Sequence, residues 1–173
     1  MAANEPPEES ESREEIESDF PKLRNVPYRI ASDKNPRYNC VAFAAGDHER
    51  FWQNLGHPTK GYFWPHGFSD DETVDGWVRV FRLLNFEVST KEEAGSGFEV
   101  IAIYGTHEGN ATHVATRKGN DPWMSKLGKG HDIEHETLEF LECTVQHASE
   151  YEHDPCYGRV AVYMKRKRYQ LTH

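Results

Sequence analysis

The spacing of apolar residues changes along this chain, and that change limits the folds it can adopt. In the first half of the chain apolar side chains recur at helical spacing, as in Val74, Trp77 and Phe81. From Phe98 onward they alternate in the manner of strands. Helices that precede a run of strands are typical of an α+β fold with an antiparallel sheet. The sequence therefore predicts that class.

The predicted elements follow from this change of period. A helix begins at Cys40, with Asn39 as its cap, and is expected to continue past Gly46. Residues 51–68 contain six aromatic side chains broken by glycine and proline, which predicts an irregular loop of functional size. The other predicted elements are a helix over 71–84, strands over 98–104, 112–117 and 123–127, a helix over 133–141 and a strand over 157–165.

The acidic charge of the chain is concentrated in its first residues. Residues 1–19 hold eight acidic residues and one basic residue, whereas the whole chain of 173 residues has a formal net charge of −9. Such a polar segment buries too little apolar surface to offset chain entropy. We therefore expect a disordered acidic arm over 1–19, which is available to a protein partner, one domain over 20–168 and a short tail over 169–173.

Composition argues against several classes of function. The net negative charge disfavours a nucleic-acid or anionic-membrane partner. No apolar run is long enough to span a membrane, and the acidic start lacks the pattern of a secretory signal. The sequence also has no glycine-rich phosphate loop. We expect a cytoplasmic protein that needs no cofactor.

The three cysteines point to thiol chemistry rather than to a disulfide framework. At most one bridge can form, between Cys143 and Cys156. Cysteines in a reducing cytosol are mostly free thiols. Cys40 is then the cysteine of interest.

Cys40 and His113 are the strongest candidates for chemistry. Backbone N–H groups and the helix dipole stabilise a thiolate at the first turn of a helix, where Cys40 is predicted to lie. A cysteine nucleophile also needs a base, and His113 begins a predicted strand. The alternative is that Cys40 is a buried apolar residue. In that case the chain is a non-catalytic binding protein that contacts its partner through loop 51–68 and the acidic arm.

The residues around both positions resemble those of known cysteine hydrolases. The stretch NCVAFA from Asn39 is similar to the nucleophile helix of papain-like cysteine peptidases, and THVA from Thr112 is similar to their histidine strand. The same order occurs in the compact NlpC-type and CHAP-type amidases of bacterial cell-wall hydrolysis. Residues 36–166 also resemble an uncharacterised group of small bacterial proteins that carry Tyr-Asn-Cys, Ser-Lys-Leu-Gly and Asp-Ile-Glu-His segments.

This resemblance implies a papain-like fold, in which an N-terminal nucleophile helix packs on a small antiparallel sheet. It implies a thiol hydrolase or acyl-transferase that acts on an amide-type carbonyl of a protein or peptide-like substrate. Cys40 would be the nucleophile and His113 the base. The residue that orients the imidazole would be Asp132 or Ser125, because a shift of one residue in register exchanges the facing side chain.

Two further residues are assigned to substrate binding. The Cys40 N–H and the side-chain amide of Asn39 would bind the oxyanion. Trp64, in the aromatic loop, would line the substrate groove.

A metal-dependent hydrolase is the third alternative. His131, Glu134 and His135 match the order of an inverted zinc-peptidase motif. Gly128 and Gly130 place His131 at or before the start of the predicted helix, so the two rings need not share a face. We therefore interpret both as surface histidines and expect no metal ligand among them.

Overall fold

The computed structural model describes residues 7–69, 72–90, 95, 97–143 and 156–168. The helices are α1 (Pro7–Asp19), α2 (Cys40–Ala45) and α3 (Val74–Leu83). The strands are β1 (Tyr28–Ile30), β2 (Phe51–Trp52), β3 (Tyr62–Phe63), β4 (Glu87–Ser89), β5 (Phe98–Gly105), β6 (Ala111–Lys118), β7 (Trp123–Lys126), β8 (Asp132–His135) and β9 (Arg159–Lys167). Two short 3-10 helices span Pro21–Asn25 and Glu139–Leu141. None of these helices is long and apolar enough to cross a membrane.

Seven of the strands form one antiparallel sheet in the order β1-β8-β7-β6-β5-β9-β4. The central strand β5 pairs with β6 on one side and with β9 on the other. β2 and β3 pair with each other in parallel inside loop 51–68. The predicted α+β class and its antiparallel sheet are therefore confirmed.

Apolar side chains cover both faces of the sheet. On the face that we call the α2 face, Ile103 and Val114 pack against α2 and α3. On the opposite α1 face, Ala102 and Ala115 belong to a second cluster, which includes Ile16 of α1. The alternation of strand side chains explains how one sheet supplies two cores. Burial of these two clusters is the main stabilising contribution to the fold.

Most of the predicted elements are observed. The helix predicted over 71–84 is α3, and the strands predicted over 98–104, 112–117, 123–127 and 157–165 are β5, β6, β7 and β9. Thr73 caps α3 by accepting a hydrogen bond from the N–H of Gly76 at 2.9 Å. The three-residue strands β1 and β4 were not predicted, because so few residues show no period.

Residues 7–19 form helix α1, which corrects the prediction of a disordered arm over 1–19. Ile16 is only 4% exposed and packs on the α1 face with Phe20 and Leu23. One buried apolar side chain thus docks a segment that composition alone places among disordered chains. Residues 1–6 and the predicted tail over 169–173 lie outside the described residues.

Two predicted helical segments are wrong. The helix predicted over 133–141 is strand β8 followed by a 3-10 helix, because Ile133 and its neighbours pair with β7 on one side and with β1 on the other. The helix that begins at Cys40 ends at Gly46 rather than continuing past it. Gly46 has a φ of 83°, the left-handed conformation that ends many helices.

A disulfide fixes the segment around Tyr157 to the rest of the fold. Cys143 and Cys156 form the one bridge that the sequence allowed. The N–H of Cys143 donates to the carbonyl of Gly158 at 2.8 Å. Gly158 has a φ of 80°, and a Cβ there would lie 2.2 Å from the carbonyl oxygen of Gly105, so only glycine fits. The backbone of Tyr157 is therefore held between two fixed neighbours.

Candidate active site

The thiol of Cys40 is enclosed between α2 and β6. Asn39 caps α2 by accepting a hydrogen bond from the N–H of Ala42 at 3.1 Å. Cys40 is 8% exposed, and the backbone N–H groups of Val114 and Val41 near its sulfur act to lower the pKa of the thiol. These donors favour the thiolate, but burial is the larger effect and raises the pKa of the thiol to about 11.

The thiol of Cys40 lies beside a part of β6 that β7 does not cover. β7 pairs with β6 at Ala115 and Thr116. α2 packs against β6, and the backbone N–H of Val114 acts to lower the pKa of the Cys40 thiol. The sulfur therefore lies near the residue that directly follows His113.

A buried chain of hydrogen bonds begins at His113 on the α1 face. Nε2 of His113 lies 3.0 Å from Oγ of Ser125, which lies 2.8 Å from Nε2 of His135. Nδ1 of His135 lies 2.8 Å from the carbonyl oxygen of Thr137. The two rings and the serine are at most 1% exposed. These side-chain hydrogen bonds thus connect β6, β7 and β8 in addition to the backbone pairing of the strands.

The carbonyl oxygen at the end of this chain fixes where the protons lie. A carbonyl only accepts, so Nδ1 of His135 carries a proton, and in the neutral ring Nε2 is an acceptor. The Ser125 hydroxyl therefore donates to His135 and accepts from the Nε2–H of His113. Nδ1 of His113 is left with its lone pair, and it is buried without a hydrogen-bond partner.

Burial keeps both rings in the neutral state that this proton order requires. Desolvation, with a smaller contribution from His135, lowers the pKa of His113 to about 3. Desolvation also lowers the pKa of His135, although its hydrogen bond to Thr137 acts in the opposite direction. Tyr157 stacks on the His113 ring with centroids 4.1 Å apart, and Tyr104 lies 5.3 Å away. These two rings exclude water from the imidazole.

The structure brings Ser125, and not Asp132, to the ring of His113. Asp132 accepts a hydrogen bond from the Tyr38 hydroxyl at 2.8 Å, and its partner across the strands is Lys126. Neighbours along a strand point to opposite faces, so Lys126 and Asp132 lie on the α2 face while Ser125 lies on the α1 face. The interpretation of Asp132 as the orienting residue is therefore corrected.

Lys126 places a buried positive charge beside the thiol. It is fully buried, and its Nζ lies 4.8 Å from the centroid of the Tyr38 ring. Nζ also donates a hydrogen bond to the carbonyl of Gly130. Its charge acts against burial and lowers the pKa of the Cys40 thiol. The cation thus lies on the same face as Cys40.

Asn39 has a structural role rather than the predicted oxyanion role. Its Oδ1 accepts hydrogen bonds from the N–H groups of Ala42 and Trp52, and its Nδ2 donates to the carbonyl of Trp52 at 2.9 Å. The amide is thereby committed to backbone groups. Asn39 takes the N–H groups of Ala42 and Phe43, so an oxyanion at the start of α2 would have to use those of Cys40 and Val41.

Trp64 lines a cavity of the aromatic loop. Its Nε1 donates to the carbonyl of Phe68 at 3.0 Å. The cavity has a volume of about 600 Å³, and neither Cys40 nor His113 lines it. Trp64 also packs against the apolar cluster that includes Cys40. The predicted substrate groove therefore corresponds to a cavity that does not contain the thiol.

The residues of the zinc-like motif do not meet. Glu134 lies on the α2 face and forms a salt bridge with Arg29 at 2.7 Å. His135 lies on the α1 face, and His131 precedes β8 with its Nδ1 2.9 Å from the carbonyl of Ser32. No group of metal-ligating side chains occurs within the part of the chain that the structure describes. Both histidines are buried, so their interpretation as surface residues was wrong.

These features define an α+β protein with helices on both faces of a seven-stranded antiparallel sheet. The chain belongs to the family described as a domain of unknown function, DUF7689, whose model matches residues 29–165. No curated protein and no solved structure matches the sequence. The matched residues include Cys40, His113, Ser125 and His135, whereas α1 precedes them.

Sequence analysis missed the contributions of His135 and Tyr157. His135 was assigned to a helix, although Ile133 and His135 stand two residues apart, as the residues of one strand face do. That spacing is the signal that would have placed His135 beside Ser125. Tyr157 has no comparable signal, because its position follows from the disulfide and from Gly158.

We expect His113 to make the fold sensitive to acid. Between the ordinary pKa of 6.5 and the folded pKa of about 3, the unfolded ring binds a proton and the folded ring does not. The free energy of unfolding therefore falls as the pH is lowered through this range. Between pH 7 and pH 5 the free energy of unfolding should fall by about 2 kcal/mol more for the wild-type protein than for His113→Gln.

Urea unfolding at the two pH values measures this difference. His57→Gln removes an exposed histidine and is the matched control, which should lose as much stability as the wild-type protein. If His113→Gln and the wild-type protein lose equal stability, His113 is not held neutral by the fold.

Proposed function

We propose that this protein is a thiol hydrolase or acyl-transferase with Cys40 as its nucleophile and His113 as its base. The observation that carries the proposal is the chain from His113 through Ser125 and His135 to a backbone carbonyl, which leaves Nδ1 of His113 as an acceptor. Such a ring can accept a proton at Nδ1 without changing its tautomer, once opening of the site relieves the burial that holds the imidazole pKa at about 3 and the thiol pKa at about 11. The proposed substrate is an amide-type carbonyl of a protein or peptide.

In the proposed reaction the Cys40 thiol gives its proton to Nδ1 of His113 as the sulfur attacks the carbonyl carbon. The oxyanion that forms is bound by backbone N–H groups at the start of α2. Lys126 stabilises the negative charge of the sulfur as it develops. His113 then protonates the leaving amine, which yields a thioester on Cys40. Water or a second acceptor resolves this thioester and regenerates the thiol.

A papain-like arrangement is part of the same proposal. α2 carries the cysteine at its N-terminus and packs on an antiparallel sheet, and the histidine lies on a strand of that sheet. Nε2 of the histidine is hydrogen-bonded to a residue of the next strand, Ser125, which leaves Nδ1 for the proposed proton transfer. These three features support the arrangement that the sequence resemblance implies.

The proposed site is closed in this structure. His113 is buried beneath Tyr157 on the α1 face, whereas Cys40 belongs to the apolar cluster on the α2 face, and no hydrogen bond joins Nδ1 of His113 to the thiol. The proposed proton transfer therefore requires the start of β6 to rearrange so that the imidazole and the thiol meet. Tyr157 must also move away from the imidazole before a carbonyl can reach the two side chains.

Acetyl transfer from p-nitrophenyl acetate tests the proposed nucleophile and base. The wild-type protein should release p-nitrophenol and gain one acetyl group on Cys40, as mass spectrometry would show. Cys40→Ala should gain none. The reaction of His113→Ala should be slower by a factor of about 100 or more, which is the usual effect of losing a general base. His57→Ala is the control and should react like the wild type. An unmodified Cys40, or an undiminished rate in folded His113→Ala, would contradict the proposal.

Removal of Tyr157 should open the site. We expect Tyr157→Ala to raise the rate of Cys40 alkylation by iodoacetamide at pH 7.5 roughly 10-fold, since one aromatic contact is worth about 1 kcal/mol or more. Tyr62→Ala changes a tyrosine that is 37% exposed and should leave the rate unchanged. If circular dichroism shows intact Tyr157→Ala and alkylation is no faster, Tyr157 does not cover the thiol.

A non-catalytic binding protein is the second candidate. It is favoured by the burial of Cys40 and by the thiol pKa of about 11, which keeps the sulfur protonated at neutral pH. In this account the buried side chains support the fold, and the aromatic loop 51–68 contacts the partner. The acetyl-transfer experiment separates the two candidates, because a binding protein should leave Cys40 unmodified.

A further inference from the structure

A second cavity, of about 390 Å³, lies between α1 and the turn that joins β7 to β8. Apolar side chains form much of its wall: Ile16, Phe20, Leu127 and Tyr157. The rings of Phe20 and Tyr157 are in contact, with centroids 5.0 Å apart. The cavity is therefore suited to an apolar chain that ends in a polar group, as many small-molecule sites are.

His131 supplies a buried hydrogen-bond acceptor at this cavity. The residue is 6% exposed and lines the cavity. Its Nδ1 lies 2.9 Å from the carbonyl oxygen of Ser32, so Nδ1 carries the proton and Nε2 holds the lone pair of the neutral ring. Nε2 is covered in this structure and has no hydrogen-bond partner, so a ligand in the cavity reaches it once the ring or a neighbouring side chain shifts. Because an unpaired buried acceptor is unfavourable, a ligand that brings an N–H donor would gain from meeting it.

The charges around the cavity favour a cation. The carboxylates of Glu15 and Asp19, one turn apart on α1, line it together with the ammonium of Lys34. Lys34 and Glu15 form a salt bridge with each other. Asp19 therefore remains as the negative charge that this pair does not neutralise. An anionic ligand would meet this charge unfavourably, and a neutral ligand would gain nothing from it.

We propose that this cavity binds a primary ammonium group carried on an unbranched apolar chain. The ammonium donates a hydrogen bond to Nε2 of His131, and its charge is balanced by Asp19. The chain contacts Ile16 and Leu127, and the ring of Tyr157 adds a cation–π interaction. Binding needs no reaction at Cys40, so this proposal stands apart from the proposed thiol chemistry.

Titration of the full chain with n-pentylammonium, followed by proton–nitrogen NMR, tests the proposal. The Nε2 resonance of His131 and the backbone amides of Leu127 and Gly128 should shift and saturate together. 1-Pentanol has the same chain without the charge, and it should bind roughly 10-fold more weakly. Absence of a saturable shift, or equal binding of the alcohol, would overturn the proposal.

Variants of α1 test the predicted charge contact. Asp19→Asn should weaken the binding of n-pentylammonium roughly 5-fold, as expected for a partly solvated ion pair. Glu14→Gln removes the same charge from an exposed residue of the same helix that does not line the cavity, and it should bind as the wild type does. If both variants weaken the binding of n-pentylammonium equally, the proposal is overturned, because the effect would then come from the net charge of the helix and not from contact with Asp19.

A variant of His131 tests the acceptor. His131→Phe removes the acceptor and should weaken the binding of n-pentylammonium roughly 10-fold, as expected for loss of a hydrogen bond to a charged group, and undiminished binding would overturn the proposal. If this variant does not fold, the shift of the His131 Nε2 resonance in the wild-type protein decides the matter.

Discussion

The carbonyl oxygen of Thr137 accepts a hydrogen bond from Nδ1 of His135, and the protons farther along the buried chain take their positions from that contact. Once His135 has its proton on Nδ1, Ser125 must donate to it and His113 must donate to Ser125. The direction of the whole chain thus depends on a backbone group, which cannot change its protonation. Hydrogen bonds ordered in this way leave one nitrogen with an unpaired lone pair, Nδ1 of His113, on the strand residue that precedes Val114.

Because the sheet is pleated, the side chains of the proposed site lie on both of its faces. Ser125 and Lys126 are neighbours on β7, yet Ser125 reaches the imidazole of His113 while Lys126 acts on the thiol of Cys40 from the other face. Strand β6 joins the two environments, since His113 and Val114 are consecutive. The positive charge of Lys126 therefore lies on the same face as the Cys40 sulfur, and the buried hydrogen bonds lie on the opposite face with the His113 ring.

Local sequence was sufficient to predict the helix at Cys40 and the strand at His113, because a cap, an alanine-rich turn and an alternating run are local features. It was insufficient to choose between Asp132 and Ser125. That choice depends on the pairing of Ala115 with Ser125, which is a contact between strands. β8 was mistaken for a helix because four residues show too little period to override neighbouring helical spacing. Helix α1 was missed because the contacts that hold it are contacts between elements: Ile16 is buried against the sheet, and Arg13 and Glu17 form hydrogen bonds with Tyr28.

The positions of the protons on the His113 ring test this account most directly. A long-range proton–nitrogen NMR spectrum of the wild-type protein at pH 7 distinguishes the two neutral tautomers and the imidazolium. The account predicts a neutral ring with its proton on Nε2 and a lone pair on Nδ1, and the same ring state down to well below pH 6, because burial holds the pKa at about 3. A proton on Nδ1, or a charged ring at pH 7, would contradict the hydrogen-bond order on which the proposed chemistry rests.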